Sequence, residues 1–286
     1  MTTILLTGAN GNVTGATVRA LKGQGHRLIG LLRDPAKAKG LEGVELRQGD
    51  LAKPRTLEGA FDGVDVAWVL TPAGALAPYL SSNALWAARQ AGVKHVVRLS
   101  AIGAAHDAPS LNGRMHALSD AELAGSGIPY TVLKPHFFMQ NLMMQAQSVR
   151  EQGTLYFAMG DARIPMIDVR DIGEAAAKVL SNPSAHAGKT YTLTGPGNTL
   201  ADAAAALSQV TGKSVKYVAI PVAAQVETIV KFGGDDFLQV MMRDYSVAYS
   251  RGWQSAPTSA VKDLTGKAPR TIDDFARDFA QAFGGK

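Results

Sequence analysis

The stretch Thr3-Ile4-Leu5-Leu6-Thr7-Gly8-Ala9-Asn10-Gly11-Asn12-Val13-Thr14-Gly15 decides the fold. Ile4, Leu5 and Leu6 form a short apolar run. Such a run reads as a strand buried on both faces, as in a parallel sheet. Glycines follow at once. Gly8 suits a turn conformation that other residues avoid, and Gly11 lets backbone approach a bulky group. From Asn12 onward, Val13, Val18 and Leu21 share one helical face. A strand, a glycine turn and a helix start together form an anion site, because free N–H groups and the positive helix end point at one place. A dinucleotide pyrophosphate is the expected occupant, held by Gly8, Asn10, Gly11, Asn12 and Val13. The third glycine of the fingerprint is displaced: Thr14 stands where glycine is usual, with Gly15 next. That glycine normally lets the helix pack close to the sheet. The expectation is therefore a helix sitting slightly outward and a weakened hold on the cofactor.

The rest of the chain fits around this start. Its 286 residues hold one large domain or two modest ones with ample core. No basic stretch precedes a long apolar run near the N-terminus and no stretch is long enough to span a bilayer, so a cytoplasmic protein is expected. The absence of cysteine excludes disulfides and thiolate chemistry. The net charge of +5 comes from scattered residues. Without a basic stripe or a cluster interleaved with aromatics, nucleic acid is not an expected partner. The six histidines show no metal-ligand spacing, so no metal site is expected.

Strand-like runs recur at Arg27–Leu32, Val44–Leu51, Val64–Leu70, His95–Leu99 and Ile128–Leu133, separated by helical segments such as Tyr79–Gln90 and Gly113–Gly125. This alternation predicts an α/β fold, a doubly wound parallel sheet of Rossmann type. The end of the second strand meets the adenine ribose. An acidic residue there suits NAD, whereas an arginine accommodates the 2′-phosphate of NADP. Arg33 and Lys37 therefore point to NADP, with Asp34 the residue that would reverse the preference by turning to the ribose. Asp50 and Leu51 end the third strand beside the adenine; Asp50 also reads as a cap for the segment from Pro54. Thr71 and Pro72 lie on the cofactor path after the fourth strand, and Pro135 after the sixth.

Beyond Pro135 the character changes. His136, Phe137, Phe138 and Met139, with Leu142, Met143 and Met144, suit a pocket for flat apolar ligands, or equally the core face of a long helix. Later segments read as a helix through Leu180 with Asp171 as N-cap, a strand at Thr190–Thr194, a helix at Ala201–Val210, a strand at Val215–Ile220 and an amphipathic stretch at Ile272–Phe283. Residues 1–135 are thus expected to form the dinucleotide-binding domain. Residues 136–286 are expected to form mainly a smaller substrate lobe interleaved with the sheet.

In order along the chain, Thr7-Gly8-Ala9-Asn10-Gly11, Arg33-Asp34-Pro35-Ala36-Lys37, Gly49-Asp50-Leu51, Ser126-Gly127-Ile128-Pro129-Tyr130, Val132-Leu133-Lys134-Pro135, Ile167-Asp168-Val169-Arg170-Asp171-Ile172 and Thr192-Leu193-Thr194-Gly195-Pro196 resemble the NmrA-like branch of the atypical short-chain dehydrogenase/reductases. The resemblance covers nearly the whole chain. Within the branch it is most similar to the NADPH-dependent quinone, azo-dye and triphenylmethane-dye reductases. The wider dehydrogenase group uses a serine with a tyrosine four residues before a lysine, the lysine lowering the tyrosine pKa for proton donation. The resemblance puts Ser100 at the serine position. His116 and Asp120 stand where tyrosine and lysine would be, so that triad is broken. In the quinone-reductase relatives a histidine matches His116. Four residues apart, His116 and Asp120 share a helical face, and the carboxylate is expected to orient the imidazole and favour its protonated form.

Two functions follow. The first is an enzyme passing hydride from NADPH to a small apolar aromatic acceptor: a quinone, an azo compound or a conjugated imine. His116, Asp120 and Ser100 are its catalytic candidates, and His136, Phe137, Phe138 and Met139 its substrate wall. The second is an NADP(H)-sensing regulator whose apolar groove receives a partner protein. The ligand-sized groove and the lack of a charged docking tail favour the enzyme. A homodimer is left open.

Overall fold

The computed structural model describes residues 1–285. Seven strands form one parallel sheet: β1 (Thr3–Leu6), β2 (Arg27–Leu32), β3 (Glu45–Gln48), β4 (Val66–Val69), β5 (His95–Leu99), β6 (Tyr130–Pro135) and β8 (Thr190–Leu193). Their spatial order is β3-β2-β1-β4-β5-β6-β8. The order reverses between β1 and β4. In open α/β sheets the crevice beyond the strand ends at that reversal receives the ligand.

The first strand shows how sequence produces the layers. Ile4 and Leu6 enter one core and Leu5 the opposite one, as a period-two strand covered on both faces requires. The first core is closed by α1 (Asn12–Leu21), α5 (Val169–Ser181) and α9 (Ala260–Thr265). The second is closed by α2 (Ala77–Gln90) and α3 (Leu111–Gly125). The remaining α-helices and strands form a separate lobe: α4 (Ala146–Gln152), β7 (Thr154–Phe157), α6 (Leu200–Thr211), β9 (Lys216–Ala219), α7 (Val222–Lys231), α8 (Asp236–Ser250) and α10 (Ile272–Asp278). β7 and β9 pair in parallel as a separate two-stranded sheet. A third core, with Leu142, Leu155, Phe157, Leu207, Tyr249, Phe275 and Phe283, holds this lobe together.

Several expectations change here. The crowd of residues after Pro135 does not build a long helix. Met139–Gln145 is a 3-10 segment, followed by the short α4. Asp171 does not cap α5. Asp168 does, its carboxylate accepting the Arg170 N–H at 2.8 Å. Asp171 lies in the first turn, buried, and pairs with Arg270 from the end of the chain. The last amphipathic stretch breaks after Asp278 into α10 and a 3-10 turn, Ala280–Phe283.

Thr14 ties helix α1 to the sheet. The Thr14 hydroxyl is fully buried; it donates to the Thr7 carbonyl (3.0 Å) and accepts from the Trp68 indole N–H (3.0 Å). The side chain thus supplies a polar join where glycine would supply space. Close approach is made between neighbouring helices of the same layer, at Gly173 of α5. A Cβ there would lie 2.6 Å from the Ala16 carbonyl carbon. Among the described residues no helix is long and apolar enough to cross a membrane.

Candidate active site

The nucleotide end of the groove is built largely from backbone. Gly8 has φ +62°, and its carbonyl accepts the Gly11 N–H at 2.8 Å, closing the turn. A Cβ at Gly8 would lie 2.9 Å from Leu70 Cδ2, and one at Gly11 3.0 Å from the Gly8 oxygen. Gly11 is the N-cap of α1 and brings no side-chain cap, and the first turn has no acidic residue. The amides of Asn12 and Val13 therefore remain available to an anion. Thr7 locks the reversal point: its hydroxyl donates to the Leu70 carbonyl and accepts the Leu70 N–H, both at 2.8 Å. Next to it the buried Thr71 hydroxyl has no hydrogen-bond partner in the protein. An orphaned hydroxyl beside a glycine cradle fits a dinucleotide lying across the strand ends. Pro72, which follows, is exposed.

Asn10 does not present a free side chain. Its amide donates to the Lys37 carbonyl (2.8 Å) and accepts the Lys39 N–H (3.1 Å), so it braces the turn after β2. That turn carries three exposed cations, Arg33, Lys37 and Lys39. Asp34 is committed: it accepts the Ala36 N–H at 3.1 Å and lies 3.7 Å from the Lys37 ammonium. The carboxylate that would select a ribose hydroxyl is thus turned into the local cap, which leaves the cations for a phosphate. Asp50 likewise caps its own turn through Ala52 N–H at 2.9 Å. The Leu51 carbonyl accepts from Asn83 at 2.7 Å.

The second cluster is built from side chains that converge from β5, β6 and α3. His116 and Asp120 do share a face of α3, but no hydrogen bond joins them. Asp120 accepts from Arg98 (2.5 Å) and from the Ser100 hydroxyl (2.8 Å), and lies 3.3 Å from the Lys134 ammonium. Arg98 is 1% exposed and turns its second nitrogen to His116 Nδ1 at 3.2 Å. Arginine only donates, so Nδ1 accepts and the imidazole carries its proton on Nε2. Burial, helped by the Arg98 and Lys134 charges, pushes the His116 pKa down to about 3. The expected protonated imidazole is therefore replaced by a neutral one, because a cation and not the carboxylate reaches its ring.

The expected substrate wall divides. His136 is buried; Nδ1 accepts the Phe137 N–H at 2.7 Å and Nε2 donates to the Gln254 carbonyl at 3.1 Å. Its ring stacks on Tyr249 at 5.3 Å, and burial lowers its pKa to about 4. His136 is thus an internal clamp. It holds Gln254, which has the unusual φ of +57°, and with it the segment that lays Trp253 over the β5–α3 loop. A Cβ at Gly103 would lie 2.2 Å from the Trp253 ring, so glycine is required there. Met139 is wholly buried in the lobe core. Pro135 is buried at the end of β6, while Phe137 and Phe138 stay partly exposed.

Three residues escaped the sequence reading: Arg98, Lys134 and Trp253. The signal for the first two was present. A charged residue inside the run His95–Leu99, and another after Val132-Leu133, cannot be buried in a sheet without a partner.

The fold and the cradle define a dinucleotide-binding protein of the doubly wound class. The chain belongs to the NmrA-like family, whose profile matches residues 1–275. It is 36% identical to an NAD(P)H azoreductase of Xenophilus azovorans over 98% of this chain and 99% of that protein. It is 30% identical to quinone oxidoreductase 2 of Escherichia coli over 94% of this chain and 96% of that protein. The structure of that enzyme with NADPH superposes with a TM-score of 0.87, covering 96% of this chain and 99% of the other at 28% identity. The triphenylmethane reductase of Citrobacter sp., complexed with NADP(H), superposes at 0.85 with 25% identity over 97% of this chain and 99% of the other.

Proposed function

We propose that this protein is an NAD(P)H-dependent reductase that prefers NADPH and transfers hydride to a flat conjugated acceptor such as a quinone, an azo compound or a conjugated imine. The observation that carries the reading is the glycine cradle after β1, with uncapped α1 amides, in a sheet whose neighbouring strand ends bear exposed cations after β2 and a hydrogen-bond-donating cluster at β5 and β6. Its relatives that reduce azo compounds and quinones span the same length.

Gly8, Gly11 and the first amides of α1 would hold the pyrophosphate, Arg33 and Lys37 the 2′-phosphate, and Thr71 the part crossing the switch point. The bound dihydronicotinamide supplies the hydride. The protein's own share is positioning and exclusion of water. Trp253, Phe137 and Phe138 form the apolar surround for the acceptor. The neutral His116 offers Nε2–H as a hydrogen-bond donor to the acceptor heteroatom. Ser100 and Asp120 act through the ion pairs that hold this array, so they are positioning residues. Residues 1–135 contribute mainly the dinucleotide body, and residues 136–286 mainly the acceptor lobe, with α5 and β8 returning to the sheet. The test is NADPH oxidation against a panel of quinones, azo compounds and imines. Turnover of at least one class supports the reading; NADPH binding without turnover of any class would refute it.

A further inference from the structure

Arg98 and Lys134 come from neighbouring strands, with Arg98 paired in register to Val132 two residues before Lys134. Both meet Asp120 of α3. The next carboxylate, Glu122, is exposed and bonded to neither. Two cations therefore share one carboxylate, and one positive charge is left over at the strand ends. Arg98 is 1% exposed and the Lys134 side chain 20%, so water compensates this charge poorly. A desolvated, uncompensated charge is costly, and its cost is removed by an opposite charge placed against it.

The hydrogen-bond inventory agrees. Lys134 has three ammonium donors: one goes to the Ala104 carbonyl at 3.0 Å and one toward Asp120, which leaves one. Arg98 occupies His116 Nδ1, so Nε2 is a donor, and among the described residues it has no partner. Ser100, the one hydroxyl in the cluster, spends its proton on Asp120. What remains unfilled is donor capacity with a net positive charge, the complement of an anion.

We propose that this cluster is an anion subsite of the acceptor pocket, which takes an acidic substituent, such as a carboxylate or sulfonate, carried beside the ring of the conjugated acceptor. Lys134 Nζ and His116 Nε2 are the contacts, and Arg98 is the positioning residue that fixes the histidine's tautomer. The inference rests on the reductase reading for the identity of the ligand as an acceptor, and its test is separable from that reading.

The test measures binding of two redox-inert probes, 2-naphthoate and the neutral 2-naphthamide, to the protein loaded with NADP⁺, by calorimetry. Naphthoate should bind at least roughly tenfold tighter, the scale of one charge-assisted hydrogen bond. Lys134→Met should remove that preference while leaving NADP⁺ and naphthamide affinities within about twofold, and Lys134→Arg should restore it. Nitrogen NMR should show His116 neutral with Nε2–H at pH 5 in the native protein. Arg98→Lys should lose that fixed tautomer without losing the fold. Equal affinities of the two probes for the native protein, or a Lys134→Met variant that loses both equally, would overturn the subsite. Turnover of menadione in parallel separates the readings. Activity with no naphthoate preference refutes the subsite alone, whereas naphthoate preference with no turnover of any acceptor refutes the reductase alone.

Discussion

The two regions proposed for nucleotide and acceptor are made by different means. The proposed nucleotide end is backbone: one turn at Gly8, one close approach at Gly11, and helix amides without a side-chain cap. The proposed acceptor end is side chains gathered from residues 98 to 134 and from the 251–254 turn, held by ion pairs and by two neutral histidines. Backbone sites tolerate no added atoms but are insensitive to pH, while a buried ionic cluster admits substitution but depends on every protonation state in it.

The largest effect belongs to the backbone end. Gly11→Val should abolish NADPH binding while the far-UV spectrum stays native. The first carbon of the new side chain meets only the Gly8 oxygen, at 3.0 Å, and the rest fills the space above the cradle. Near-native NADPH affinity in this variant, read by calorimetry, would place the pyrophosphate elsewhere.

Acid should act through the buried histidines: His116 and His136 belong to the side-chain end, and His95 sits at the start of β5, away from it. His95, His116 and His136 have folded pKa values of about 4, 3 and 4, each lowered chiefly by burial. Their unfolded values lie near 6.5, so below that pH the unfolded chain takes up protons that the folded chain refuses. Their contribution to stability is complete above about pH 6.5 and is lost progressively from there to about pH 4 for His95 and His136 and about pH 3 for His116, by up to about 1.4 kcal/mol per pH unit for each histidine. Urea unfolding across that window should steepen accordingly. His136→Gln should flatten the slope by about one proton, whereas Arg33→Ala should leave it unchanged. A pH-independent midpoint between 6.5 and 4.5 would contradict the burial of neutral histidines.

The cationic turn should show a smaller effect, selective between cofactors. Arg33→Ala should weaken NADPH by roughly tenfold or more, the scale of one charge-assisted contact, and leave NADH unchanged. Equal affinities for the two cofactors in the native protein would remove Arg33 and Lys37 from the 2′-phosphate.

The same contrast explains what the sequence could tell. The residues Thr3 to Gly15 are consecutive, and their conformation follows from glycine and apolar period alone, so the cradle and the sheet were legible. Thr14 looked like a defect because its two partners, Thr7 and Trp68, become visible only when β4 is laid beside β1. Asp34 was legible as a residue able to turn to the ribose, and the structure shows that it caps its own turn through the Ala36 N–H instead. The acceptor end was legible as a list of residues but not as a set of bonds. Spacing placed His116 and Asp120 on one face, yet Arg98 from β5 takes both, and no local pattern announces a partner from another strand. His136 and Met139 were read with Phe137 and Phe138 as substrate wall, core packing being the alternative; the lobe core takes Met139 and the Gln254 carbonyl takes His136, leaving only the two phenylalanines partly exposed.

The smallest and most discriminating effect concerns His116. A histidine with a pKa of about 3 is protonated in roughly one molecule in ten thousand at pH 7, so it is a poor general acid there. It can still polarise an acceptor through Nε2–H. His116→Gln keeps an amide N–H of similar reach and should hold quinone turnover within a few-fold, while His116→Ala should lower it by roughly tenfold, less than loss of a general acid would cost. Azo and imine acceptors need a proton on nitrogen, which a neutral imidazole does not deliver. With them the kcat profile between pH 5 and 8 should keep one shape in the native protein and in His116→Ala. A native step near pH 6.5 that disappears in His116→Ala would show that the imidazole titrates during turnover. Arg98 would then have to release Nδ1 when the acceptor binds.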